Sequence, residues 1–253
     1  MTQPLQPLDF SSISLRYGDR GIIIGDTRSG KSYLAKALID DYTGRYRAAD
    51  AKVLVVDTKP HYSAEWQANG FATSKKYRDL QEKFWPGSVL VERPEQLQKT
   101  LQWAQVVIIQ SHDESEIGRL TAIMWEFWKI AATTGKKKRK PMLLYIDEGH
   151  DFYSVGGAYV SSPDPIAKCA RAGGEIGVSV LFLAQRPKGL SIGLVSWINK
   201  GYFFATSWED DLKRLRAMGI PAEIIYRVPQ KFHQFIYWTQ NDPKRIWGPY
   251  QLG

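Results

Sequence analysis

The chain has little of what builds disulfide scaffolds, metal clusters or membrane spans. Its 253 residues contain one cysteine, Cys169, and four histidines without metal-ligand spacing. An internal disulfide and a cysteine-based metal cluster are therefore excluded. No apolar run approaches the roughly 18 to 20 residues of a membrane-spanning helix, and no signal peptide opens the sequence. These absences predict a soluble protein of the cytoplasm.

Acidic residues are outnumbered by basic ones. The chain has 34 Lys and Arg against 26 Asp and Glu, which gives a formal net charge of +8. An excess of cations favours a polyanionic partner such as nucleic acid, because Lys and Arg that neutralise phosphates release condensed counterions. The same excess also serves plain solubility, so the charge leaves both interpretations open.

Short apolar segments alternate with longer segments of helical periodicity. This alternation predicts an α/β fold with a mostly parallel central sheet and helices on both faces. The predicted core strands are 21–25, 52–57, 106–110, 142–147 and 178–185, and the predicted helices are 30–42, 94–105, 114–133 and 165–174. Shorter elements at 202–206, 210–218 and 234–239 are expected at the far edge of the same sheet. One domain is therefore predicted, with its core at about 18–207 and an extension at 208–253.

A glycine-rich motif lies between the first apolar strand and the first helix. Its spacing is Gly-x4-Gly-Lys-Ser, and its residues are Gly25, Asp26, Thr27, Arg28, Ser29, Gly30, Lys31 and Ser32. In this strand-to-helix context the motif predicts a phosphate-binding loop, with backbone N–H groups and the helix N-terminus directed at phosphate oxygens. Lys31 is expected to reach the β- and γ-phosphates, and Ser32 to ligate Mg²⁺. The motif therefore predicts binding of ATP with Mg²⁺.

Two carboxylates follow a later apolar strand. Asp147 and Glu148 end the run that starts at Met142. A buried strand avoids unpaired charge, so a carboxylate pair at its end indicates a site. Asp147 is expected to hold the Mg²⁺ as a Walker B aspartate, and Glu148 to orient and deprotonate the attacking water.

A third apolar strand ends in the polar sequence Gln185-Arg186-Pro187. Ligands of parallel sheets bind at the carboxyl ends of the strands. Gln185 is therefore predicted to sense the γ-phosphate through the lytic water. The alternative is an ordinary loop-forming sequence without nucleotide contact.

Together these motifs resemble the FtsK–HerA superfamily of DNA-pumping ATPases over about residues 18 to 240. A strand ending in Asp57, the Asp147-Glu148 pair and a sensor Gln185 in an Ala-Gln-Arg-Pro context match the family's pattern in order. The resemblance implies a P-loop NTPase core of the RecA-like type. It also makes Arg171, in an arginine-plus-glycine segment, the candidate arginine finger that a neighbouring subunit receives. The alternative for Arg171 is pairing with a helix end.

The resemblance implies a motor that translocates double-stranded DNA as a homo-oligomeric ring, with six copies as the expected number. The chain lacks the membrane segments, winged-helix tail and amino-terminal barrel of larger members. It is therefore most similar to viral genome-packaging ATPases, which implies a capsid or portal partner and a place in the host cytoplasm or on the virion.

A run of basic residues is the candidate DNA contact. It comprises Lys136, Lys137, Lys138, Arg139 and Lys140, between a predicted helix and a buried strand. Each cation would favour a backbone phosphate, which suits a motor that grips any sequence. A solvated surface turn is the alternative.

Three other functions remain open at the level of sequence. The first is a HerA-like DNA-processing translocase or helicase. The second is an ATP-dependent phage assembly factor similar to the zonular-occludens-toxin type. The third is a nucleotide switch with slow hydrolysis, against which Glu148 and Gln185 together argue.

Overall fold

One nine-stranded sheet dominates the computed structural model, which describes residues 9–57, 87–110, 117–135, 140–147, 165–187, 196–205, 209–217, 219–220, 233–242 and 246–251. The strands are β1 Arg20–Ile24, β2 Lys52–Asp57, β3 Val89–Leu90, β4 Val106–Gln110, β5 Met142–Ile146, β6 Val178–Ala184, β7 Lys200–Phe204, β8 Gln234–Thr239 and β9 Ile246–Gln251. The helices are α1 Phe10–Ile13, α2 Lys31–Arg45, α3 Pro94–Leu101, α4 Ile117–Ile130, α5 Pro165–Ile176 and α6 Glu209–Ala217.

The strand order is β3-β4-β2-β5-β6-β1-β7-β8-β9. Every pair from β3 to β7 in this order is parallel, and β8 and β9 add an antiparallel edge. The predicted α/β fold with a mostly parallel sheet is confirmed. Since parallel strands end at one edge, the segments that follow β1, β2, β5 and β6 share the carboxyl edge of the sheet.

The sheet is covered on both faces because its strands alternate their side chains. Ile22 and Ile24 of β1 belong to the core under α3, α4, α5 and α6, and Ile23 belongs to the core under α1 and α2. Both cores consist of buried aliphatic and aromatic side chains, and the buried Cys169 lies in the first. At roughly 25 cal/mol per Å² of apolar surface, burial on both faces is the main stabilising contribution.

Several predicted boundaries differ from the structure. The helix predicted to run to residue 105 ends at Leu101, and the amides of Trp103 and Ala104 donate to the Thr100 carbonyl in the turn before β4. The helix predicted at 114–133 extends to Ile130 and is followed by a π-helical turn, Ala131–Gly135. The first residues of the predicted helix lie outside the described ranges.

The strands β3 and β9 were not predicted. β3 has two residues, which is too short for a period-two pattern. β9 contains Gly248 and Pro249, and both residue types argue against a strand. β9 lies at the end of the strand order, where a missing backbone N–H is tolerated. Of the helices in the described ranges, none is long and apolar enough to span a membrane.

Candidate nucleotide site

The glycine-rich loop begins where β1 leaves the sheet. A Cβ added to Gly25 would lie 2.4 Å from the Cβ of Phe204 on the neighbouring β7 and 3.1 Å from the Ser29 hydroxyl. No side chain fits in that space, because Cβ atoms do not approach other atoms within 3.0 Å without a shift of the structure. Gly25 is therefore required by the close approach of β7 to the start of the loop.

The loop curls into α2 through left-handed backbone. Arg28 has φ 64° and Gly30 has φ 105°. Gly30 caps α2 without a side-chain hydrogen bond, and its carbonyl accepts the first helical hydrogen bond from Leu34. The N-terminus of this 15-residue helix therefore faces the loop, and Gly30 provides no side chain to cap its N–H groups. Such an end attracts anions through its N–H groups and its dipole.

Lys31 supplies a positive charge inside the loop. Its Nζ donates a hydrogen bond of 2.7 Å to the backbone carbonyl of Asp26, and the residue is 7% exposed. The ammonium thus spans the loop from the first residue of α2. In this position its ammonium group can bind phosphate oxygens, and that role stays a prediction.

A buried hydroxyl supports the fit of a phosphate. The Ser29 Oγ is buried and has no hydrogen-bond partner among the described residues. Such a group costs roughly 1–3 kcal/mol unless a partner satisfies it. A phosphate oxygen in the loop would accept its proton, so the residues present fit a nucleotide phosphate.

The predicted metal ligands lie at the same edge of the sheet. Asp147 directly follows β5, is 7% exposed, and is fixed by its own amide, which donates to the Val56 carbonyl at 2.9 Å. Ser32 lies in the first turn of α2. The described residues contain no cluster of three or more candidate metal ligands. A Mg²⁺ site of one carboxylate, one hydroxyl and nucleotide phosphates needs no such cluster.

Gln185, the predicted sensor glutamine, contacts the glycine-rich loop. The Thr27 Oγ1 donates to the Gln185 Oε1 at 3.5 Å, which joins the loop to the end of β6. This hydrogen bond is long and therefore weak. Its significance is that it places Gln185 next to the loop. The sensing role of Gln185 stays a prediction. Glu148 lies outside the described residues.

An ion pair that the sequence did not reveal holds the residue after Gln185. The Arg186 Nε donates to the Asp211 Oδ2 at 3.0 Å, and Asp211 on α6 is fully buried. A buried carboxylate requires such a partner. Asp211 lies 25 residues along the chain from Arg186, and no local pattern marks it as part of the site.

The same charges act on the loop itself. Burial raises the pKa of the Asp26 carboxyl above its ordinary value, and the nearby Asp211 carboxylate raises it further. Lys31 and Arg186 act in the opposite direction. Burial and the Asp211 carboxylate therefore disfavour the ionised form of Asp26 even without a bound phosphate.

The remaining predicted residues lie elsewhere. Arg171 is exposed on α5. Lys140 pairs with Asp50, which also accepts from Lys52 at 2.8 Å, so the last residue of the basic run sits at the amino edge of the sheet. Residues 136–139 lie outside the described ranges. The structure thus separates the end of the basic run from the nucleotide site, and the DNA contact stays a prediction.

Solved structures share this fold. B204, the DNA-packaging ATPase from Sulfolobus turreted icosahedral virus, has a TM-score of 0.64 at 19% identity, over 94% of this chain and 100% of that chain. B204 from Sulfolobus turreted icosahedral virus 2, in complex with ATP-gammaS, has a TM-score of 0.64 at 15% identity, over 94% and 100%. VirB4 of Thermoanaerobacter pseudethanolicus has a TM-score of 0.56 at 10% identity, over 92% and 89%.

These likenesses are likenesses of fold. No family model matches the sequence, and no curated protein matches it. At 10 to 19% identity the solved structures show an architecture held in common with packaging and VirB4-type ATPases. The predicted P-loop NTPase fold and the resemblance to a genome-packaging ATPase are confirmed at that level.

Asp26→Asn tests the charge balance of the loop. Because the folded-state pKa is raised, ionisation of Asp26 lowers the free energy of unfolding as pH rises above the ordinary carboxyl pKa of about 3.9. We expect the variant to be more stable than the wild type at pH 7, by less than about 1 kcal/mol because solvent screens a partly buried carboxylate. The difference should shrink toward pH 4, as measured by urea unfolding.

Asp242→Asn is the matched control, because Asp242 is an exposed carboxyl outside the loop. A stability gain in Asp26→Asn that does not vary between pH 4 and pH 7 would contradict the assignment. The gain would then come from packing or hydrogen bonding of the amide.

Proposed function

We propose that this chain is an ATP-hydrolysing motor that translocates double-stranded DNA as a ring of identical subunits, and that it packages a viral genome into a capsid. The observation that carries the proposal is the contact between Thr27 and Gln185, which joins a phosphate-binding loop to a sensor strand. A loop that only bound nucleotide would need no sensor at the γ-phosphate side. The fold held in common with B204 supports the packaging assignment.

In the proposed site, each of a few side chains performs one part of the hydrolysis. Water attacks the γ-phosphorus, the bond to the β–γ bridging oxygen breaks, and Glu148 accepts the proton of the water. Lys31 neutralises charge that develops on the phosphate oxygens, and Gln185 orients the water. Ser32 and Asp147 would hold Mg²⁺, which would supply further charge stabilisation.

The ion pair between Arg186 and Asp211 extends the site to α6. Gln185 and Arg186 are adjacent, so a change of Gln185 on release of the γ-phosphate acts on a residue held by a fully buried carboxylate. An ion pair between two packed elements can pass a shift at the end of β6 to the helix α6. In the proposed ring, this link carries the nucleotide state from Gln185 to α6.

A membrane-associated assembly or secretion ATPase is the second candidate. VirB4 and the cytoplasmic domain of the Thermomonospora curvata type VII secretion ATPase EccC share the fold, the latter with a TM-score of 0.57 at 14% identity over 92% of this chain and 25% of that chain. The net charge of +8 favours the DNA motor, because a polyanion is its substrate. Stimulation by DNA separates the two candidates.

ATP hydrolysis by the wild type and by Glu148→Gln, with and without long duplex DNA, tests the proposal. We expect duplex to stimulate the wild type, and the substitution to lower turnover by roughly 10² to 10⁴, since it removes the general base. Nucleotide binding should survive in Glu148→Gln. Turnover that no nucleic acid changes would reject the DNA motor and favour the assembly ATPase.

Alanine substitution of the basic run tests the DNA contact. Replacement of Lys136, Lys137, Lys138 and Arg139 should lower duplex affinity and flatten its salt dependence, by up to roughly 0.9 in the logarithmic slope for each phosphate that is no longer neutralised. Adding Lys140→Ala should change little, because Lys140 already pairs with Asp50. Lys213→Ala, an exposed lysine on α6, is the control. Unchanged affinity in the fourfold variant would exclude the run from DNA binding.

Arg171→Ala tests the arginine finger. If a neighbour's Arg171 completes the site, turnover should fall by about 10³ to 10⁵ while ATP binding is retained. Glu175→Ala, one turn away on the same exposed side of α5, controls for damage to that surface. Mixing Arg171→Ala with Lys31→Ala subunits should restore part of the activity, because intact sites then form between unlike neighbours. Normal turnover in Arg171→Ala would dismiss this residue as the finger.

A further inference from the structure

The strand order assigns a direction to a bound nucleotide. Asp147, the predicted Mg²⁺ ligand, and Gln185, the predicted sensor of the γ-phosphate, follow β5 and β6, on one side of β1. The chain of phosphates therefore points to that side, and the nucleoside must leave the loop on the other side. There β7 and β8 follow β1 in the strand order.

One aromatic ring on that side touches the loop. A Cβ added to Gly30 would lie 3.1 Å from the Cβ, Cγ and Cδ2 atoms of His233, so the imidazole lies directly against the last glycine of the motif. His233 immediately precedes β8 and has φ 51°, in the left-handed region. This backbone conformation is uncommon outside glycine, and such conformations cluster at ligand sites. The imidazole is placed at the loop by a turn that ordinary strand geometry would not produce.

A second ring extends the first. Tyr33 follows the predicted Mg²⁺ ligand Ser32 in the first turn of α2, and its ring is stacked with His233 at 6.2 Å between centroids and 22° between planes. The Tyr33 side chain is 60% exposed, which is rare among the large apolar residues that the structure describes. A solvent-facing aromatic pair beside a phosphate loop provides a surface on which a planar base can stack.

We infer that Tyr33 and His233 form a stacking platform for the nucleobase of the bound nucleotide. The inference rests on the proposed function, since it places the base of the same ATP whose phosphates occupy the loop. Stacking on aromatic side chains contributes roughly tenfold or more in affinity per base and tolerates different bases, since every base has a π-face. The chemical class of ligand is therefore a nucleoside triphosphate, with the base held by its face.

The platform also links the base to the antiparallel edge. His233 is continuous with β8, whose Phe235 and Tyr237 pack in the core under α2. Phe235 lies 5.4 Å, between ring centroids, from Phe204, the residue that crowds Gly25. The proposed base site and the start of the phosphate loop are therefore connected through one aromatic cluster, Phe204 and Phe235.

Binding of two probes separates the base from the phosphates. ATP carries the base, and inorganic tripolyphosphate carries the phosphates without it. We expect Tyr33→Leu and His233→Asn to weaken ATP binding about tenfold each and to leave tripolyphosphate binding unchanged, as measured by calorimetry in the presence of Mg²⁺. Asparagine also adopts the left-handed backbone, so His233→Asn removes the ring and keeps the turn.

Conservative and distant variants complete the design. Tyr33→Phe keeps the ring and should bind ATP as the wild type does, and Trp103→Leu removes a 67% exposed aromatic side chain from another surface. Equal weakening of ATP and tripolyphosphate would overturn the platform, because the two residues would then act on the loop. Undiminished ATP affinity in both ring-removing variants would overturn it as well. Failure of the wild type to bind either probe would instead reject the proposed function.

Discussion

The position of β1 between two parallel strands is the constraint on which the site depends. Ile24, the last residue of β1, pairs with Ala184 on β6, and β7 runs alongside on the other flank. The chain must leave the sheet at that level, where Phe204 leaves no room for a side chain at Gly25. The glycine, the tight exit and the entry into α2 are consequences of one packing arrangement. The loop therefore begins in a space that admits backbone and no side chain.

Charge balance is the second determinant. Two carboxylates, Asp26 and Asp211, face two cations, Lys31 and Arg186, across the loop and the end of β6. A nucleotide adds several negative charges to this balanced set. Burial and the Asp211 carboxylate raise the pKa of Asp26, so the surroundings disfavour its negative charge. In the proposed ring, Mg²⁺ and a cation from a neighbouring subunit would help to compensate the charge of the nucleotide.

The sequence predicted those parts of the structure that local patterns determine. The core strands and the phosphate loop follow from apolar runs and from the spacing of Gly25, Gly30 and Lys31, because adjacent residues create them. Contacts between distant segments left no such signal: Arg186 with Asp211, and Tyr33 with His233, join elements that topology alone brings together. His233 had no motif around it, and its role follows from the left-handed turn before β8. β9 was hidden because its Pro249 is tolerated only at an edge.

The predicted site of hydrolysis and the end of the predicted DNA contact lie at opposite edges of the sheet. Lys140 lies before β5 and Asp147 after it, so about seven residues at roughly 3.3 Å each place them on the order of 20 Å apart. No side chain spans that distance. DNA gripped near Lys140 could respond to hydrolysis only through movement of a whole subunit or of a rigid strand and helix. A tightly packed sheet with both faces buried suits this role, because closely packed interiors have low compressibility and transmit strain. The stiffness that fixes the phosphate loop would then also carry its motion to the opposite edge.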